Sequence, residues 1–91
     1  MTEVRRLVIR GVVQGVGFRY SMLARARLLG VNGWVRNRRD GSVEAMISGD
    51  AAQIEQMLDW SREGPAGAVV EDVMVEIASG EFSNFELRPT A

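Results

Sequence analysis

The sequence predicts a single α+β domain over residues 1–91, in which one sheet carries two helices on one face. Three observations support this prediction. A chain of 91 residues is long enough for one hydrophobic core and too short for two. Its apolar residues change between strand-like alternation and helical spacing in the order β-α-β-β-α-β, followed by a short strand. Glycine, proline and short polar residues separate these segments, as turns and caps require.

The first half of the chain contains a strand, a helix and a second strand. Around Leu7 and Ile9 the residues alternate in the pattern of a half-buried strand. From Arg19 to Leu29 the apolar residues recur at helical spacing, and Gly30 follows as the expected C-cap. The buried stripe of this helix is expected to be Met22, Leu23, Ala26 and Leu29. Gly33–Asn37 is predicted to form the second strand.

The middle of the chain contains a hairpin and a second helix. Arg39–Ser42 includes an Asp-Gly pair and predicts the turn before a third strand, 43–47, with alternating apolar residues. Asp50 is the expected N-cap of the second helix, with Gln53 at the capping-box position. Gly64-Pro65 ends this helix. Its buried stripe is expected to be Ile54, Met57 and Leu58.

Two further strands complete the predicted sheet. Val73–Ile77 alternates as a fourth strand, and Phe85–Leu87 predicts a short fifth strand. This order is typical of the ferredoxin-like, or split βαβ, fold, an antiparallel sheet with two helices on one face. The first crossover makes strands one and two parallel, so both end at the same edge of the sheet. With the third strand between them, the two ends lie about 9–10 Å apart, which a phosphoryl group and a water molecule can bridge.

A glycine-punctuated loop follows the first strand and leads into the first helix. Glycines let a ligand approach the backbone closely, and a helix N-terminus carries partial positive charge, so we expect an anion to bind here. The expected phosphate-binding loop, which acts through its main-chain N–H groups, consists of Gln14, Gly15, Val16, Gly17 and Phe18. Arg19 adds a planar fork of donors that suits a phosphoryl group. The alternative is a tight turn whose glycines only relieve backbone strain.

Composition excludes several kinds of chemistry. The chain has no cysteine, no histidine and no lysine, and all eleven basic residues are arginine. Thiolate chemistry, a histidine base and a Schiff-base lysine are therefore excluded. We expect no metal site and no cofactor, because the usual zinc ligands are missing and the acidic residues lack a clustered ligand spacing. The formal net charge is −1 and no apolar run approaches the length of a membrane span. We therefore expect no nucleic-acid partner, no membrane association and a cytoplasmic location.

Two segments resemble the signatures of the acylphosphatase family. Ile9–Arg19, with the sequence IRGVVQGVGFR, resembles the first signature. Gly33–Asn37, with the sequence GWVRN, resembles the second, and Gly41 and Gly49 follow it at the expected spacing. Gly64–Val70 also resembles the family's loop into its fourth strand. The resemblance covers nearly the whole chain.

The resemblance implies an enzyme that hydrolyses acyl phosphates to a carboxylate and inorganic phosphate, without a metal or cofactor. Arg19 would bind the phosphoryl group together with the loop N–H groups, and Asn37 would position the attacking water. The substrate would be a small-molecule acyl phosphate, phosphate or sulfate would bind in the same loop, and the enzyme would be a monomer. Phosphoryl transfer depends mainly on positioning and charge stabilisation, which suits a chain with few proton-transfer groups.

The chain differs from the family pattern at a few positions. Val12 stands where many relatives have arginine, Met22-Leu23 replaces a more polar pair, and Ser61 replaces a leucine common in the second helix. These differences concern substrate preference and packing. The acidic residues nearest the expected site are Asp40 and Glu44. We interpret Asp40 as a turn residue and Glu44 as part of a solvated strand face rather than as catalytic bases.

Two other functions are compatible with the same fold. An RNA-binding module would place aromatic residues on its central strands above a basic surface, and strands one and three show no such residues. An acylphosphatase-like regulatory domain of a larger maturation enzyme also carries a VVQGVGFR run, but Tyr20 stands where those proteins typically have proline. A phosphate-release assay on a small acyl phosphate distinguishes these functions from an acylphosphatase.

Overall fold

A computed structural model describes residues 1–91 and contains five strands and two helices. In chain order the elements are β1 (Glu3–Val12), α1 (Phe18–Leu29), β2 (Asn32–Asn37), β3 (Val43–Gly49), α2 (Ala51–Glu63), β4 (Val69–Ile77) and β5 (Phe85–Leu87). All seven predicted elements are present. β1 and β4 are longer than predicted, because β4 begins at Val69 and pairs with the last residues of β1.

The strands lie in the order β4-β1-β3-β2-β5. The pairs β4-β1, β1-β3 and β3-β2 are antiparallel, and β3 separates the parallel strands β1 and β2, as the sequence predicts. β5 differs from that prediction because it runs parallel to β2, which makes the sheet mixed. After β4 the chain passes along the end of the sheet where β1 and β2 begin. A strand that enters from that end must run in the same direction as β2.

The hydrophobic core lies between the sheet and the two helices. Alternate residues of β1 and β3 face this core and are fully buried, for example Leu7, Ile9 and Ala45. The predicted stripes of both helices are buried or half-buried against them. Burying a leucine or isoleucine side chain contributes roughly 1.5–3 kcal/mol. The opposite face of the sheet carries no helix and is called the open face below.

The ends of the two helices are joined by one side chain. Gly30 adopts the left-handed conformation, φ 77°, and caps α1 as predicted. Asp50 and Gln53 form the predicted capping box of α2, because each side chain accepts a hydrogen bond from the other residue's N–H. Gln53 Nε2 also donates to the carbonyl oxygen of Leu29 at 2.9 Å. The last turn of α1 is therefore tied to the first turn of α2.

Candidate active site

A small cavity lies between the loop that follows β1 and the end of β2. Its volume is about 120 Å³. Eight residues line it, namely Val13, Gln14, Gly15, Gly17, Phe18, Arg19, Tyr20 and Asn37. The cavity therefore brings together Arg19, Asn37 and four of the five predicted loop residues. Val16 is the exception, because its side chain packs against the hydrophobic core.

The loop presents main-chain N–H groups that have no partner in the protein. Between Gln14 and Gly17 no N–H donates to a main-chain carbonyl, and the first such bond runs from Ser21 N to Gly17 O at 3.0 Å. The first turn of α1 adds further free donors, as the start of any helix does. Gly17 occupies the N-cap position and provides no side-chain cap. This arrangement is typical of an anion-binding site.

The conformation of the loop requires glycine at two positions. Gly15 and Gly17 both lie in the left-handed region, with φ of 74° and 75°. A Cβ atom at either position would meet no atom within 4 Å. Steric contact within the protein therefore does not explain these glycines. Their positive φ, which other residues rarely adopt, does.

Arg19 is the only charged residue that lines the cavity. It is half-buried. It differs from Arg6, Arg36 and Arg88 on the open face in forming no ion pair with a carboxylate. Its guanidinium carbon lies 5.9 Å from the centroid of the Tyr20 ring. A guanidinium with no carboxylate partner beside a row of free N–H groups gives the cavity a positive potential that suits a phosphoryl group.

Asn37 is the last residue of β2 and forms the opposite wall. Its carbonyl oxygen accepts a hydrogen bond from Ala91 N at 3.0 Å, which holds the backbone in place. Its side-chain Oδ1 is buried and has no hydrogen-bond partner in the protein. Buried polar atoms are nearly always paired, and an unpaired one costs about 1–3 kcal/mol. A ligand or a water molecule that donates a hydrogen bond to Oδ1 would remove this cost.

Gln14 joins the two walls of the cavity through its side chain. Its Nε2 donates to the carbonyl oxygens of Arg38 and Ser42, both at 2.8 Å. These carbonyls belong to the turn between β2 and β3, directly after Asn37. The loop and the hairpin are therefore held at a fixed separation. Nothing in the sequence predicts this contact, because Gln14 and Ser42 are distant in the chain.

Phe18 anchors the loop in the core. Its side chain is 1% exposed. Its ring centroid lies 5.2 Å from that of Trp60 on α2, with the ring planes at 57°. A Cβ atom on Gly64 would lie 2.7 Å from the Phe18 ring. The side chain of Phe18 thus faces the core, and only its main chain is available to a ligand in the cavity.

The two acidic residues singled out in the sequence lie outside the cavity. Asp40 is a turn residue, as interpreted, and its Oδ1 accepts hydrogen bonds from the hydroxyl and the N–H of Ser42, at 2.6 and 2.9 Å. These bonds lower the pKa of Asp40 to about 2. The interpretation of Glu44 as part of a solvated face is wrong. It is 5% exposed, because Arg6 and Arg36 on the neighbouring strands cover it.

Burial of Glu44 favours its neutral form, but the hydrogen bonds from Arg36 and Arg6 outweigh this effect and lower its pKa. Glu44 and Asp40 are therefore weak bases. No group of three or more acidic side chains in residues 1–91 is arranged to hold a metal ion. Neither helix has the length and apolar character needed to cross a membrane.

Comparison with known proteins identifies the family. The acylphosphatase family profile matches residues 5–87. The acylphosphatase of Albidiferax ferrireducens is 53% identical over 83 residues, which cover 91% of this chain and 90% of that protein. The structure of an acylphosphatase from Coxiella burnetii has a TM-score of 0.92 and 34% identity, over 96% of this chain and 93% of that one.

A larger protein contains a similar domain. A structure of full-length HypF in the phosphate- and nucleotide-bound form has a TM-score of 0.91 and 25% identity. The similarity covers 99% of this chain but only 12% of HypF. The proteins named acylphosphatase, by contrast, match this chain along most of their own length. From the matched family profile and these relatives, the chain belongs to the acylphosphatase family of enzymes.

Proposed function

We propose that residues 1–91 form a single catalytic domain in which Arg19 and Asn37 hydrolyse acyl phosphates by direct attack of water on a bound phosphoryl group. Membership of the acylphosphatase family supports acyl phosphate hydrolysis. One observation supports this mechanism above the others. A row of unpaired donors, the loop N–H groups and Arg19, lines the same cavity as Asn37, whose Oδ1 is a buried acceptor with no partner.

The donors bind the phosphoryl group. The guanidinium of Arg19 donates two parallel hydrogen bonds to two phosphoryl oxygens, and the loop N–H groups donate to the remaining oxygen. The transition state spreads negative charge over these oxygens. Because the donors are already in place and have no other acceptor, they stabilise this charge without rearranging.

Asn37 holds the attacking water. Its Oδ1 accepts a hydrogen bond from one O–H of the water, which orients an oxygen lone pair toward phosphorus, while the side-chain NH₂ donates to a phosphoryl oxygen. Removal of one preorganised polar group of this kind typically lowers kcat by about 10²–10³. The side-chain contact of Gln14 with the β2–β3 turn keeps this water at a constant distance from the loop.

The reaction needs no general acid and no dedicated base. The leaving group is a carboxylate, and its conjugate acid has a pKa of about 4, so it departs unprotonated at neutral pH. No carboxylate lines the cavity, and the lowered pKa values of Asp40 and Glu44 make them poor proton acceptors. We therefore assign the water proton to a phosphoryl oxygen. Metal independence is part of the same proposal.

Two rival functions make different demands on the structure. A regulatory domain would be part of a much larger chain, and this chain corresponds to only 12% of HypF. The catalytic proposal is preferred because the acylphosphatases match along most of their length. An RNA-binding module needs exposed aromatic rings on the open face. Trp34 is the aromatic residue there, and it is 9% exposed, because the guanidinium carbons of Arg36 and Arg88 lie 4.7 and 4.9 Å from its ring centroid.

Phosphate release from acetyl phosphate tests the proposal. We expect full turnover in excess EDTA and competitive inhibition by inorganic phosphate, which would occupy the same cavity. Loss of turnover in EDTA that Mg²⁺ restores would contradict metal independence, and purely noncompetitive inhibition would place the site elsewhere.

All groups in the mechanism come from one chain, so we propose a monomer, which sedimentation analysis would test. The cytoplasmic location stays a prediction.

A further inference from the structure

The cavity holds the phosphoryl group but not the acyl group. Its volume of about 120 Å³ corresponds to roughly four water molecules at about 30 Å³ each. A phosphoryl group and the attacking water fill that space. Pockets that enclose an organic ligand are typically about 300–1,000 Å³. The acyl part of any substrate must therefore lie outside the cavity.

The reaction geometry directs the acyl group to the mouth of the cavity. In phosphoryl transfer the attacking and leaving oxygens lie roughly in line on opposite sides of phosphorus. The proposed water site is at Asn37 Oδ1, which is buried. The leaving oxygen, which carries the acyl group, then points away from the buried wall and toward solvent.

Tyr20 provides the only exposed side chain at this mouth. Three of the eight lining residues are exposed, and two of them, Gly15 and Gly17, have no side chain. The third is Tyr20, which is 64% exposed. Its ring centroid lies 5.9 Å from the guanidinium carbon of Arg19, so the ring is close to the proposed phosphoryl site.

We propose that Tyr20 determines acyl specificity and that the site favours acyl phosphates with an aromatic acyl group. This inference rests on the proposed function. An aromatic acyl group attached to the phosphoryl oxygen packs against the exposed face of the Tyr20 ring in an offset or edge-to-face arrangement. A methyl group in the same place is too small to cover the ring. The gain therefore increases with the size and planarity of the acyl group, while phosphate binding is unaffected.

The test compares kcat/KM for benzoyl phosphate with kcat/KM for acetyl phosphate in three variants and the unmodified protein. In Tyr20→Ala we expect this ratio to fall about three- to tenfold, and in Tyr20→Phe we expect it to be retained. The inhibition constant of inorganic phosphate should not change in either variant. Leu28→Ser is the matched control, because Leu28 is 75% exposed, lies on α1 like Tyr20 and does not line the cavity. Intrinsic differences in substrate reactivity cancel when the ratios are compared between variants.

Three results would overturn the inference. An unchanged ratio in Tyr20→Ala would show that the ring does not contact the acyl group. An equal fall with both substrates, together with weaker phosphate inhibition, would mean that Tyr20 supports Arg19 instead. An equal change of the ratio in Leu28→Ser would attribute the effect to general surface polarity. If the unmodified protein hydrolyses neither substrate, the proposed function fails as well, whereas an active protein with an unchanged ratio contradicts only the role of Tyr20.

Discussion

The cavity and the open face use the same residue type in opposite ways. On the open face, Glu44 accepts hydrogen bonds from Arg6 and Arg36, both at 2.7 Å, and Arg6 also contacts Glu76 at 2.7 Å. These charges are paired within the protein. In the cavity, Arg19 forms no ion pair, and the loop N–H groups and Asn37 Oδ1 have no partner. The chain thus satisfies its polar groups on one surface and leaves them unpaired at the other.

This difference separates arginines that stabilise the fold from an arginine available to a ligand. A guanidinium between carboxylates has its donors occupied, and an added anion would have to displace them. A guanidinium without a carboxylate partner can bind an added anion without first losing an ion pair. Such a guanidinium contributes no ion pair to the stability of the fold. Residue type alone does not distinguish the two kinds of arginine. The absence of a carboxylate partner together with a position in the cavity does. Single substitutions in either region are therefore expected to change either ligand binding and turnover or the stability of the fold.

The largest effect is expected from Arg19→Lys. Lysine retains the charge but not the planar pair of donors, so turnover should fall by at least about 10³ and phosphate inhibition should weaken strongly. Thermal unfolding should change little, because Arg19 contributes no ion pair to the fold. Steady-state kinetics and a phosphate titration on the same preparation measure both quantities.

Arg36→Lys is the matched control on the open face. It should lower the unfolding temperature slightly and leave turnover unchanged, because its partners are Glu44 and Trp34 rather than the ligand. Near-normal hydrolysis by Arg19→Lys would make Arg19 a surface arginine without a role in binding.

Asn37→Ala is expected to separate catalysis from binding. Without the amide group, the water loses its orientation, and kcat should fall by about 10²–10³. The inhibition constant of phosphate should change little, because Arg19 and the loop provide that affinity. Thermal stability should be maintained or rise, since a buried unpaired acceptor is removed. A variant that is destabilised but fully active per folded molecule would instead show that Asn37 only ends β2 before the turn.

Glu44→Gln is expected to destabilise the open face without affecting catalysis. The variant loses charge-assisted bonds to two arginines, so the free energy of unfolding should fall by about 1–3 kcal/mol at neutral pH. Because the pKa of Glu44 is lowered in the folded protein, its carboxylate stabilises the fold fully at a pH above the ordinary pKa of 4.5. This stabilisation is lost as the pH falls through the lowered value in the folded protein.

Urea unfolding of both proteins from neutral pH to about pH 3 measures this dependence. The difference in unfolding free energy between them should shrink as the pH falls below the ordinary pKa. A difference that stays constant over this range would show that the Glu44 contribution does not come from its charge.

The smallest effect is expected from Ser61→Ala. Ser61 is fully buried on the apolar stripe of α2, and its Oγ, like Asn37 Oδ1, has no partner. Alanine removes this unpaired hydroxyl and favours the helix, so the free energy of unfolding should rise by about 1 kcal/mol. Turnover should not change. A destabilised Ser61→Ala would indicate that the hydroxyl makes a hydrogen bond in solution.

The order of elements and the cavity walls could be predicted from the sequence because both depend on local patterns. The alternation around Leu7, the Asp50–Gln53 capping box and the glycine loop are each visible within a few residues. The crossover rule then places Arg19 and Asn37 at one edge without further information. The remaining features depend on contacts between distant segments.

Three such features could not be predicted. The contact of Gln14 with the β2–β3 turn, the burial of Glu44 and the cover over Trp34 all depend on cross-strand register. Register decides which long side chains lie opposite one another. The ring or carboxylate that an arginine covers therefore cannot be predicted until the register is known. The parallel direction of β5 likewise follows from the path that the chain takes after β4.

The position of β3 between β1 and β2 also has a consequence for folding. The glycine loop and Asn37 face each other only when β3 has paired on both sides. β2 and β3 form a local hairpin, but β3 also pairs with β1, so that Ile9 lies opposite Val43 and Glu3 opposite Gly49. This second pairing joins segments far apart in the chain, so it forms late, after the helices and local turns have begun to form. Turnover therefore reports insertion of the central strand. A refolding chain should regain its helical signal before it regains acyl phosphate hydrolysis.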